Sequence, residues 1–102
     1  MIHVIATIEL KSGKRDAYLK EFKKVVPAVR AEKGCIAYGP TVDTPSGMPV
    51  QPPLRKDVVV ILETWESLDA LKVHLATLPG APGAEAMKAL VKGAAVCVTK
   101  DA

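Results

Sequence analysis

DVVVILETWES, residues 57–67, is the stretch that decides the fold. A strand of a small open sheet ordinarily keeps one face wet and alternates apolar with polar residues. Here Val58, Val59, Val60, Ile61 and Leu62 follow one another without a break. Both faces of this strand therefore need apolar cover. The run closes on Glu63, Thr64, Trp65 and Glu66, where the chain places its only tryptophan.

Upstream, IHVIATIEL (2–10) alternates: Ile2, Val4, Ala6, Ile8 and Leu10 point one way, His3, Ile5, Thr7 and Glu9 the other. It reads as a strand ended by KSGK. Residues 14–33 read as a helix with Tyr18, Phe22, Val25, Val26 and Val29 on one stripe. Pro27 costs about 3 kcal/mol inside a helix, so a bend or break is expected there. Gly34 suits a helix stop because glycine takes left-handed geometry. CIAYGPTVD (35–43) reads as a second, weaker strand. TPSGMPVQPPLRK (44–56) holds four prolines and a glycine, so it cannot enter a sheet. It forms a long exposed loop, with a lid, a dimer-contact arm or simple slack as its open readings.

Downstream, Ser67 is placed to cap a helix over 68–78, with Asp69 favourable near its positive end. Leu68, Leu71, Leu75 and Leu78 would be its buried stripe. PGAPG (79–83) interrupts the chain, residues 84–91 suit a short helix, and Gly93 precedes a last strand, AAVCVTK. The order β-α-β-β-α-β predicts a single α+β domain over residues 1–102. Its fold class is the ferredoxin-like split βαβ, a four-stranded antiparallel sheet with the helices on one face.

That arrangement leaves the other face bare, although the third strand is apolar on both sides and Ile5 adds to it. Soluble monomers rarely expose several hundred Å² of such surface, and burying each aliphatic side chain is worth roughly 1.5–3 kcal/mol. A second copy of the sheet is the simplest cover, giving a homodimeric α+β barrel. A cavity between sheet and helices would suit a small, flat, hydrophobic ligand.

The 102 residues are enough for one domain, and 49% hydrophobic with 25% charged is a folded composition. Aromatics make up only 4%, so the core must be aliphatic. The net charge of +3 is spread among acids, which argues against a nucleic-acid partner. Cys35 and Cys97 sit in apolar contexts, so buried free thiols are expected, and no zinc spacing is present. The first strand begins without a leader, and no apolar run reaches membrane-spanning length. The expectation is a cytoplasmic protein with no membrane partner.

His74, on the flank of the second helix's stripe, is the best candidate base near neutrality; a helix histidine tied to a carbonyl or carboxylate is the other reading. Glu63 follows five aliphatics, so it is either partly buried with a raised pKa or paired with a lysine. Trp65 walls a pocket or anchors the barrel rim. Tyr38 either donates into the cavity or is a plain strand aromatic. His3 shows no partner. Arg55 and Lys56 suit an anion or a solvated turn. Walker, dinucleotide, HExxH and nucleophile-elbow motifs are absent, so the sequence shows no equipment for a nucleotide, a flavin or a metal.

Three segments carry a resemblance: HVIATIELKSGK (3–14), VVPAVRAEKGCIAYGPTVD (25–43) and ILETWESLDALKVHLAT (61–77). Their marks are Glu-Lys-Gly-Cys before a tyrosine strand, and Glu-x-Trp-x-Ser with a His nine residues after the Trp. On these the chain resembles the antibiotic biosynthesis monooxygenase domain family, in particular its small bacterial quinol monooxygenase-like members. The resemblance implies a dimeric α+β barrel and a cofactor-independent monooxygenase acting with O₂ on a quinol or polyphenol. His74 would be catalytic, and Trp65, Tyr38 and Glu63 would bind the aromatic substrate. Close relatives continue the second helix into Thr-Pro-His, where this chain has TLPGAPG and no second histidine. The haem-degrading branch has an asparagine on the first strand, where Thr7 and Ile8 stand here, and a later histidine absent from residues 79–92. The alternative is a non-catalytic or isomerase-type barrel binding a small apolar or phosphorylated metabolite, with Arg55 and Lys56 as the available cations.

Overall fold

A computed structural model describes all 102 residues. The elements are β1 (Ile2–Leu10), α1 (Arg15–Arg30), β2 (Cys35–Thr41), β3 (Val58–Trp65), α2 (Leu68–Thr77), a 3₁₀ turn (Leu78–Gly80), α3 (Ala84–Leu90) and β4 (Val91–Lys100). The strands form one antiparallel sheet in the order β2-β3-β1-β4. This is the ferredoxin-like α+β arrangement, with β1 and β3 at its centre. No helix is long and apolar enough to cross a membrane.

The alternation of β1 sets the sheet's two faces. Val4, Ala6, Ile8 and Leu10 are buried. They pair with residues of matching parity on β3, Val4 opposite Glu63 and Ala6 opposite Ile61. Tyr18, Phe22, Val26 and Val29 of α1 are buried on this face too. On the opposite face Ile5 lies between Leu62 and Cys97, and Leu62 remains 46% exposed. One side of the uninterrupted β3 run thus packs under the helices, and the other forms an uncovered apolar strip.

Several boundaries and faces differ from expectation. The first helix stops at Arg30, not at residue 33, and runs through Pro27 without interruption. Pro27 lies on the exposed side, and its carbonyl still accepts from Ala31 N at 3.2 Å. The last strand begins at Val91, not Ala94: Gly93 continues the ladder opposite Glu9, and a register shift past Lys92 brings Val91 opposite Leu10. Cys97 on this strand is exposed rather than buried, its side chain lying on the helix-free face. In α2 the leucine stripe is not the buried face: Leu68, Leu75 and Leu78 are 49%, 51% and 39% exposed. The buried residues are Leu71 and His74. Ser67 caps this helix as its sequence suggests, accepting from Ala70 N.

The turn from α1 into β2 fixes how close α2 comes. Gly34 adopts φ +85°, and a Cβ built there would stand 2.6 Å from the Cβ of Ala70. A side chain at 34 would suffer both left-handed strain of about 1–2 kcal/mol and a hard overlap. The missing methyl lets the turn seat against α2, with Gly34 O accepting from Glu66 N at 2.8 Å.

The proline-rich connection, residues 42–57, is irregular. Its ends are clamped by Asp43 and Arg55, whose guanidinium donates two hydrogen bonds of 2.9 Å. This partner holds the Asp43 carboxyl down at about 2. Met48, Val50 and Leu54 point outward from the loop.

Candidate functional site

The 4% of aromatic residues are not scattered. Tyr18, Phe22, Tyr38 and Trp65, the chain's full set, form one row with His74. Ring centroids lie 5.9 Å apart for Tyr18–Phe22, 5.5 Å for Phe22–Tyr38, 5.5 Å for Tyr38–His74 and 4.8 Å for Trp65–His74. Trp65 is completely buried at the end of β3, and His74, in the last turn of α2, stacks on it at 2% exposure. His74 is thus deeper than its flanking position on the leucine stripe suggested. The indole supplies a flat apolar floor that an imidazole can cover without losing its polar edge.

Beside the row lies a cavity of about 1150 Å³ between the sheet and the helices. Val4, Ala6 and Ile61 form its sheet floor, and Leu71, Leu75, Leu78 and Met87 belong to its helical wall. Tyr38, Glu63, His74 and Glu32 make one polar group in its lining, and Glu21, Lys24, Thr77, Glu85 and Lys88 of the helical side also border it. The imidazole Nδ1 is 2.9 Å from Glu32 Oε2 and 3.2 Å from Oε1. An ionised carboxylate only accepts, so Nδ1 carries the proton and donates. Nε2 makes no hydrogen bond within the protein, and no buried polar side-chain atom lacks a partner. Nε2 is therefore open to the cavity that His74 lines.

Each predicted residue has a definite place. Trp65 does not line the cavity; it lies beneath His74 and donates from Nε1 to Glu63 Oε1 at 2.9 Å. Glu63 and Tyr38 both line the cavity and face each other across β2 and β3. Burial pushes the Glu63 carboxyl up, with the indole hydrogen bond opposing it. Burial likewise raises the Tyr38 phenol, reinforced by Glu63. His3 lies on the helix-free side, bonded to Asp101 and Thr64. Arg55 is engaged by Asp43, and neither it nor Lys56 lines the cavity. No cluster of three or more metal-ligating side chains forms. Sequence reasoning missed Glu32, which is 42 positions from His74. The one available signal was its place in the Glu-Lys-Gly-Cys turn, a carboxylate ahead of the glycine that seats against α2.

The Glu63 shift gives a checkable pH dependence. A carboxyl raised in the folded state binds more protons there than in the unfolded chain. Its contribution to stability is then complete below about pH 4.3 and is lost as pH rises through the folded-state value. Glu63→Gln keeps an acceptor for the Trp65 indole and removes the titration. Thermal melts at pH 5 and pH 7.5 should show a smaller loss of Tm toward the higher pH in Glu63→Gln than in the parent. An equal or larger loss would contradict the buried, raised carboxyl.

Comparison with known proteins identifies the family and supports the fold. The family model for antibiotic biosynthesis monooxygenase matches residues 1–93. The probable quinol monooxygenase YgiN of Escherichia coli (strain K12) is 40% identical over 95 residues, covering 91% of this chain and 86% of that protein. A crystal structure of an antibiotic biosynthesis monooxygenase superposes with a TM-score of 0.77 at 24% identity, covering 100% of this chain and 99% of the other. The structure of PA3566 from Pseudomonas aeruginosa gives 0.74 at 25% identity, covering 99% and 93%. With its fold and nearly its whole length matched, the chain belongs to the antibiotic biosynthesis monooxygenase family.

Proposed function

We propose that the protein is a cofactor-independent monooxygenase that oxidises a quinol or polyphenol with O₂. The observation that carries this reading is a buried imidazole whose unpartnered Nε2 opens into a largely apolar cavity. The similarity to a probable quinol monooxygenase supports it. A hydroquinone placed there gives an O–H proton to Nε2 of His74, and the resulting anion is a better electron donor to O₂. Tyr38 and Glu63 hold its polar atoms. Trp65 acts from behind, as the floor that keeps the imidazole in place. The balance closes without an external reductant: C₆H₆O₂ and O₂ give a hydroxyquinone, C₆H₄O₃, and water. The substrate supplies all four electrons, one oxygen atom enters the ring and the other leaves as water. The protein binds the anion, excludes bulk water and aligns the reactants.

The phosphorylated-metabolite alternative has weaker support. The cations it named, Arg55 and Lys56, lie away from the cavity, and of the two lysines that line it Lys24 is paired with Glu21 at 3.1 Å, which leaves Lys88. A hydroquinone needs no fixed cation, only a base and an apolar wall.

The working unit in this reading is a homodimer in which a second copy covers the strip containing Ile5, Val60 and Leu62. These residues share the helix-free face of β1 and β3. The cavity on the helix side stays within each subunit, leaving one site per chain.

Oxygen uptake with a panel of benzo- and naphthohydroquinones, chelator present, tests the activity. The expected result is uptake above the uncatalysed rate with at least one member, falling roughly 10²–10⁴-fold in His74→Ala, the range for loss of a general base. No uptake across the panel, or an unchanged rate in the variant, would overturn the reading. Sedimentation velocity at micromolar concentration should give a dimer that Leu62→Glu dissociates. A monomer in the parent protein would refute the covered face.

A further inference from the structure

We infer that Glu32 is the positioning residue of this site: it fixes His74 as the Nδ1–H tautomer and keeps the basic lone pair of Nε2 turned into the cavity. The inference rests on the monooxygenase reading for its purpose, but its geometry stands apart from it. Both carboxylate oxygens lie within 3.2 Å of Nδ1. A ring bonded at one nitrogen to an acceptor is committed to carrying its proton there.

The Glu32 backbone is itself held, its N–H donating to Val29 O at 3.0 Å and its carbonyl accepting from Cys35 N at 3.1 Å. Gly34, two residues on, seats the turn against Ala70. Ala70 is one helical turn before His74, on the same side of α2. The spacing between carboxylate and imidazole is thus built by backbone contacts on both partners. Trp65 holds one face of the ring, and the Tyr38 ring meets it edge-on. The titratable groups around His74 are Glu32 from the turn, Glu63 from β3 and Tyr38 from β2. Of these only Glu32 bonds the imidazole, while Glu63 is taken by the Trp65 indole.

The test combines a spectroscopic and a kinetic measurement on Glu32→Ala and Glu32→Gln. Long-range proton–nitrogen NMR of ¹⁵N-histidine-labelled protein reads the tautomer of each ring, with His3 as internal reference. The parent should show His74 protonated on Nδ1 when neutral. Glu32→Gln should keep this form, since an amide oxygen still accepts, and Glu32→Ala should shift population to the Nε2–H form. With 1,4-naphthohydroquinone and O₂, Glu32→Ala should lower kcat roughly 100-fold with KM changed less than about twofold, and Glu32→Gln should recover most of kcat. An Nε2–H ring in the parent, or the same tautomer in Glu32→Ala, would overturn the inference. The NMR result needs no turnover, so absence of oxygen uptake would defeat the function and leave the tautomer assignment still decided.

Discussion

The Cβ of Ala70 rests where a side chain at position 34 would have to go, 2.6 Å from where its Cβ would lie. That close approach sets the depth of the site. It lets the turn after α1 sit against α2, so that Glu32 and His74 meet although they come from different halves of the βαββαβ chain. It also holds α2 on Trp65, so the imidazole is sealed on one face by an indole. A buried histidine is costly unless its polar atoms are satisfied. Here one nitrogen has a carboxylate and the other a cavity.

The same sheet carries two apolar faces and has helices for only one. On the covered side the helices do not fill the available space. Leu75 and Leu78 line the cavity rather than a packed core, and Val96 and Val98 of β4 border it with about half their surface free. Tyr38, Glu63, His74 and Glu32 stand together at one end of a mostly apolar chamber, whose helical border also carries Lys24 and Lys88. An aromatic ligand could set its oxygen atoms at that end and its hydrocarbon body along the leucine wall. This division of labour suits chemistry in which the substrate is the electron source and the protein supplies orientation, a base and dryness.

Much of the fold was legible because β1 alternates, broken only by Ile5, and β3 runs apolar from Val58 to Leu62 without alternating. Those two patterns identify the centre of the sheet and predict that both of its faces are apolar. The face of α2 was misread because four leucines at helical spacing outweighed one histidine. What settled the face was the size and flatness of Trp65, which accepts an imidazole, and the small Ala70, which allows close approach. Glu32 could not be joined to His74 by any local pattern, since their contact exists only after α2 docks on the turn. Arg55 looked free for an anion until Asp43, twelve positions earlier, claimed it. His74, Tyr38 and Glu63 could be named from the chain as candidates. Trp65 supports the site from behind without reaching the cavity, a distinction of depth that a strand's parity cannot make.

The central claim is that Nε2 of His74 is presented to a reducing aromatic inside this cavity. A crystal structure of the protein with an unreactive hydroquinone analogue, such as a monomethyl ether, tests it most directly. The predicted result is a ligand in the chamber beneath α2, its hydroxyl within about 2.6–3.2 Å of Nε2 and its rings along Leu71 and Leu75. An analogue bound elsewhere, or bound in the chamber with no oxygen near Nε2, would contradict the account.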